Sequence, residues 1–261
     1  MNKLIKPLVV VAAVVIGYKF LFNDKPSKPA SSSSAIAEKQ SNVNSTYGSK
    51  GALNNWPKLN EQTNLADNLL AKNYYIVFDG SGSMRDSACE GNGLKIDIAK
   101  NAISTFIDEI QPSDYIGLLA FDHKGNKERV GLAMQNRPQL KQAIRMLEAS
   151  GGTPLKTAIS EAYSALTKRA KQQMGYGEYH LVIVTDGEAS SGERPDKIVS
   201  KIVKQSPVQI HTVGFCIDPS HSLNQQGIVN YQSASSAETL AKSLKTVLAE
   251  AESFDISEFD G

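Results

Sequence analysis

From Asn73 onward, apolar and polar positions follow two alternating rhythms. The runs "YYIVFD" (74–79), "YIGLLAF" (115–121), "HLVIVTD" (180–186) and "VQIHTVGFCI" (208–217) are almost continuously apolar and rich in branched or aromatic residues. Such runs predict strands buried on both faces, as in a parallel sheet. Between them, apolar residues recur at helical spacing. In "LKIDIAKNAISTFIDEI", Ile98, Ala99, Ala102, Ile103, Phe106, Ile107 and Ile110 form one stripe. "RPQLKQAIRMLEAS", "PLKTAISEAYSALTKRAKQQ", "RPDKIVSKIVKQS" and "SAETLAKSLKTVLAEAESF" behave alike, and Pro154 suits a first helical turn. A short antiparallel strand fits "ERVGLAM". The pattern predicts an α/β fold, a doubly wound, mostly parallel sheet with helices on both faces. In such sheets ligands sit outside the carboxyl ends of the strands.

Ahead of this domain the rhythm is lost. Residues 1–22 hold an unbroken apolar run from Leu8 to Tyr18 behind Lys3 and Lys6. That run suits a signal peptide, but extension through a snorkelling Lys19 to Phe22 gives a span from Leu4 to Phe22. We expect an uncleaved transmembrane anchor with a cytoplasmic N-terminus, so that the domain lies on the periplasmic or extracellular side of the cytoplasmic membrane. Residues 23–72 are a Ser/Pro/Asn-rich linker and lead-in, in which Trp56 is expected to dock on the domain. The domain itself covers residues 73–251, and residues 252–261 form an acidic tail.

Charge narrows the function. Lysines and arginines (28) nearly cancel aspartates and glutamates (27), and no basic stripe is interleaved with aromatics, so nucleic acid is not an expected partner. Two cysteines, Cys89 and Cys216, exclude a disulfide-dense miniature and a zinc ribbon.

Candidate chemistry begins where the first strand ends, at "DGSGSM" (79–84). A dinucleotide fingerprint would need Gly or Ala where Arg85 stands, and no phosphate-binding "GxxxxGK[ST]" occurs. "GxSxG" is absent as well. His180 and His211 fall in predicted strands and read as structural, while His123 and His221 fall in loops, so nothing recommends a nucleophilic triad. A hard cation suits the segment better, because Asp79, Ser81 and Ser83 at alternate positions point the same way. Thr153 in "SGGTPL" and Asp186 in "VTDGE" lie at other strand ends and could complete the shell.

Taken in order, "DGSGS", "GGTPL" and "TDGE" resemble the von Willebrand factor type A (VWA) family, whose sheet is Rossmann-like. The resemblance runs from about Asn73 to Glu250. It implies a metal-ion-dependent adhesion site made of Asp79, Ser81, Ser83, Thr153 and Asp186. The hydroxyls would touch Mg²⁺ (with Mn²⁺ or Ca²⁺ as alternatives) and the aspartates would act mainly through water. One position would remain for an Asp or Glu carboxylate of a protein partner. The expected function is therefore a membrane-tethered, Mg²⁺-dependent binding module of the cell envelope, without catalytic residues. The alternative is a metal-dependent phosphohydrolase drawing its base from Glu188, Asp122 or His123. The oligomeric state is not readable. By the family's strand order a single strand separates those that carry Cys89 and Cys216, which brings the pair within reach of a disulfide.

Overall fold

The computed structural model describes residues 56–59, 64–218 and 220–252. The expected anchor and the acidic tail beyond Glu252 lie outside them. Among the described residues no helix is long and apolar enough to cross a membrane.

The strands are β1 (Lys72–Asp79), β2 (Tyr115–Asp122), β3 (Gly125–Ala133), β4 (Glu178–Thr185), β5 (Gln209–Phe215) and β6 (Asn230–Ala234). The helices are α1 (Lys95–Glu109), α2 (Arg137–Arg145), α3 (Leu155–Gln172), α4 (Asp196–Gln205) and α5 (Ala237–Glu252). The sheet order is β3-β2-β1-β4-β5-β6, parallel except for the edge strand β3. Both faces of β1 are covered, which is why its sequence is continuously apolar instead of alternating. Tyr74, Ile76 and Phe78 enter one core with Ile103 and Phe106 of α1, Leu140 of α2 and Leu244 of α5. Tyr75 and Val77 enter the other with Ile159 and Leu166 of α3 and Ile202 of α4. Each such side chain contributes about 1.5–3 kcal/mol through burial.

The connections leave β1 and β4 toward opposite faces of the sheet, α1 on one side and α4 on the other. A crevice therefore opens between the carboxyl ends of these adjacent strands. Asp79 ends β1, and Asp186 follows the last residue of β4.

Departures from the sequence pattern have local causes. The helix expected through Ser150 stops at Arg145, because the following backbone bonds to strand ends instead: His123 N–H donates to Glu148 O and Ser150 N–H to Gly80 O. β6 was not expected; its five residues are mostly half-exposed and polar, so no apolar run marks them. In the lead-in, Trp56 packs edge-on to Tyr179 at 5.0 Å and stacks near Tyr163 at 6.4 Å.

Cys89 and Cys216 form a disulfide with Cα atoms 5.6 Å apart, as expected. It ties the loop after the DGSGSM segment to the end of β5 across 127 residues of chain. Unreduced digests should yield a linked Cys89–Cys216 peptide by mass spectrometry. Replacing both cysteines by serine should lower the unfolding free energy by about 2–4 kcal/mol in denaturant titrations, as for other long-loop bridges. An unchanged midpoint would show that the bridge carries no stability.

Candidate metal centre

The loop after β1 is built by close approach. Gly80 N–H donates to Phe121 O at 2.8 Å, and a Cβ at Gly80 would lie only 2.8 Å from Asp122 Cβ and 2.9 Å from that carbonyl. Glycine is required there by contact alone. Gly82 N–H donates to Gly151 O at 3.0 Å, so this loop is bonded to the one that carries Thr153. The fully buried Met84 drives the 3₁₀ turn Gly82–Arg85 into the core and fixes Ser83 above it.

Asp79 is wholly covered. Its Oδ1 accepts from Ser81 N–H at 2.8 Å, and its Oδ2 accepts from the Thr185 hydroxyl. Ser83 Oγ donates to Asp186 Oδ1 at 2.8 Å and lies 3.1 Å from Ser81 Oγ. Because the single Ser83 proton goes to Asp186, Ser81 is the donor in that pair. The other Asp186 oxygen is held at 2.9 Å by Lys95 Nζ. The structure thus joins Asp79, Ser81, Ser83 and Asp186 in one network across β1 and β4.

Thr153 is brought to the same edge by its backbone. Its N–H donates to Ser190 Oγ at 2.8 Å, and its carbonyl accepts from Ser190 N–H at 3.0 Å. Its hydroxyl makes no hydrogen bond to a described residue and is not among the sealed, unpartnered polar atoms, so it is left open at this edge. A hollow of about 230 Å³, lined by Phe121, Asp122, Ser150, Thr153 and Ser190, opens beside it.

Several supporting residues were not singled out in the sequence. Lys95 opens α1 and looks like any solvated helix-start lysine. Glu193 accepts from Thr157 N–H at 2.8 Å and from its hydroxyl at 2.9 Å, capping α3 from a distant loop. His221, expected in a loop, is buried. Its Nδ1 accepts from Leu223 N–H, so its Nε2–H donates to Gly187 O at 2.8 Å, bracing the residue next to Asp186. His180 and His211 lie toward the opposite edge, with His180 Nδ1 3.2 Å from His211 Nε2. Burial, with His180 beside it, pushes His211 down to about 3.

Electrostatics and donor chemistry both fit a hard divalent cation. Of the two covered carboxylates, Asp186 is paired with an ammonium, that of Lys95, which leaves a net negative charge at the network. Burial chiefly pushes Asp79 up to about 6; the hydrogen bonds from Ser81 and Thr185 oppose this, and the charge of Asp186 adds to it. All the candidate donors are oxygens, the ligand type that a hard cation takes.

Residues 74–188 match the family model described as von Willebrand factor type A domain. An uncharacterised protein of Synechocystis is 25% identical over 150 residues, covering 57% of this chain and 33% of that protein. The human inter-alpha-trypsin inhibitor heavy chain H4 is 25% identical over 161 residues, covering 59% of this chain and 17% of its own. The chain therefore spans a third or less of these relatives. Among solved structures, BatB from Bacteroides thetaiotaomicron superposes with a TM-score of 0.55 at 16% identity, covering 70% of this chain and all of that one, a likeness of fold.

The network makes Asp79 measurable. Thr185 stabilises the charged form, so Thr185→Val should raise the Asp79 pKa further above about 6. A charge-assisted bond of about 1.5–3 kcal/mol corresponds to a rise of about 1 or more. Carboxyl NMR titration reads it, and a fall would contradict the assigned hydrogen bond.

Proposed function

We propose that this chain, which carries a von Willebrand factor type A domain, is a membrane-tethered, Mg²⁺-dependent protein-binding module whose metal is completed by a partner's Asp or Glu. Domains of this family typically mediate protein–protein interaction or adhesion. The observation that carries the metal dependence is the network at the crevice between β1 and β4. There Asp79, Ser81, Ser83 and Asp186 are hydrogen-bonded together, and the Thr153 hydroxyl stands at the same edge without a partner.

Ser81, Ser83 and Thr153 would supply neutral oxygens to the ion, with Asp79 and Asp186 behind them. A divalent ion held mainly by hydroxyls keeps its affinity for an anionic ligand, which is the chemistry it supplies when bound. The protein orients the donors. Ser83 gives its proton to Asp186, so its oxygen can only accept, from the Ser81 hydroxyl as it stands or from a cation once that proton turns away. Direction along the chain supports an outward-facing site. The polypeptide enters β1 at Lys72 and reaches Asp79 about 23 Å further on, at roughly 3.3 Å per residue. A tether at the amino edge would present the metal edge away from the membrane.

The hydrolase alternative has weaker support. Asp122 accepts from Arg129 and from Lys124 N–H, and Glu188 accepts from Ser222, so both carboxylates named as bases are engaged locally.

Calorimetry on the full chain should show one Mg²⁺ bound, with binding abolished in Asp79→Ala while the far-UV spectrum persists. Undiminished affinity in that variant would refute the assignment. The pH dependence follows from Asp79. Its folded pKa of about 6 lies above the ordinary 3.8, so its burial as a carboxylate costs stability that grows from pH 3.8 to about 6 and is complete above that. A cation offsets this cost only where the carboxylate is ionised. Mg²⁺ should therefore raise the Tm by several degrees at pH 7.5 and by much less at pH 5, as read by scanning calorimetry. Equal protection at both values would separate Asp79 from the metal.

A further inference from the structure

Lys95 is delivered to the network by the cysteine-bearing loop. Its N–H donates to Asp86 O at 3.0 Å, closing residues 86–94, and the Ser87–Leu94 bridge and the Cys89–Cys216 disulfide hold the same excursion. The ammonium leaves the helix start and lies 2.9 Å from Asp186 Oδ2, with 13% of its side chain exposed and none of the Asp186 side chain. Ser83 holds the other Asp186 oxygen. Asp186 can thus serve a cation only through an oxygen that already accepts a bond.

We propose that Lys95 tunes the candidate metal centre in two opposite directions. Its ammonium weakens divalent-cation binding among Asp79, Ser81, Ser83, Thr153 and Asp186, and it strengthens capture of a carboxylate once the cation is in place. This rests on the metal-dependent reading above.

Charge sets both directions. Asp79, Asp186 and Lys95 sum to minus one as ionised groups. A divalent ion brings the centre to plus one, and an incoming carboxylate returns it to zero. With a neutral residue at position 95, the loaded centre would already be neutral, and a carboxylate would make it negative. These charges are largely covered, so solvent and salt screen them weakly. Nearby cations do not duplicate the role. Arg85 turns away to donate to Ala149 O at 2.8 Å, and Lys100 pairs with Asp97 on α1 at 3.9 Å. A lysine that merely held the loop would, when removed, loosen the donors and weaken both metal and carboxylate. The opposite signs distinguish tuning from support.

The test compares full-length wild type, Lys95→Met and Lys95→Arg by Mg²⁺ calorimetry at pH 7.5 and fixed ionic strength, with and without acetate as a minimal carboxylate. Lys95→Met should bind Mg²⁺ about tenfold more tightly, within the usual range of coupling between sites. By linkage, acetate should tighten Mg²⁺ binding in wild type more than in Lys95→Met, and Lys95→Arg should follow wild type. Should the Met variant unfold, Lys95→Gln keeps a donor for Asp186 and gives the same comparison. A folded neutral variant that binds Mg²⁺ no more tightly than a metal-binding wild type would overturn the inference alone. Mg²⁺ binding by neither protein would remove the metal-dependent reading and this inference together.

Discussion

A carboxylate with no access to water lies at the end of the central strand, and the surroundings of Asp79 are arranged to hold it there. Isolated in an apolar interior, such a charge costs several kcal/mol, which hydrogen bonds and countercharge must offset. Ser81 N–H and the Thr185 hydroxyl supply the bonds. They do not remove the cost, because Asp79 remains pushed up to about 6 and Asp186 adds a like charge nearby. Two aspartates and one ammonium form an unbalanced set. That imbalance, more than any single contact, supports the proposed reading of the site as one that takes a cation.

The fold creates this situation through strand order. Thr185 can reach Asp79 because β1 and β4 are neighbours, and Asp186 can reach Ser83 for the same reason. The helices leave to opposite faces there, so no crossover covers the gap. Loop contacts then make a surface of the crevice. Gly80 and Gly82 join the first loop to the second, and Ser190 joins the second to the third. Glu193 and His221 stiffen that third loop from its two sides. These interactions are local in space but distant in sequence, so the donors become a constellation only when the sheet is complete.

This explains what the sequence could and could not disclose. Strands buried on both faces must be apolar throughout, and helices over them must carry a stripe, so the layered α/β architecture was legible from Tyr74 to Leu248. "DGSGSM" was legible because short oxygen-bearing side chains alternate with glycine at a strand end. β6 was not, since an exposed five-residue edge strand needs no apolar run. Glu193 was not singled out, and His221 read only as a loop histidine, because their roles depend on partners more than 30 residues away, with no local spacing to mark them. Lys95 was hidden for another reason. A lysine at a helix start is ordinarily solvated, and only the return of the chain at Asp186 makes it part of the chemistry.

The hydroxyl groups decide how such a centre could respond to a cation. A serine that donates its only proton to a carboxylate keeps its lone pairs directed elsewhere, so Ser83 can keep its bond to Asp186 and still face a metal. Ser81 differs, because its proton now points to Ser83 Oγ, an oxygen that a cation would also use. That proton would have to turn for a cation to enter, whereas the Thr185 proton on Asp79 would not. The aspartates thus act first as orienting groups, fixing hydroxyl protons so that neutral oxygens converge. An ion held mainly by neutral donors would leave its charge for a ligand from outside, and on the proposal made above Lys95 would add to that charge instead of cancelling it.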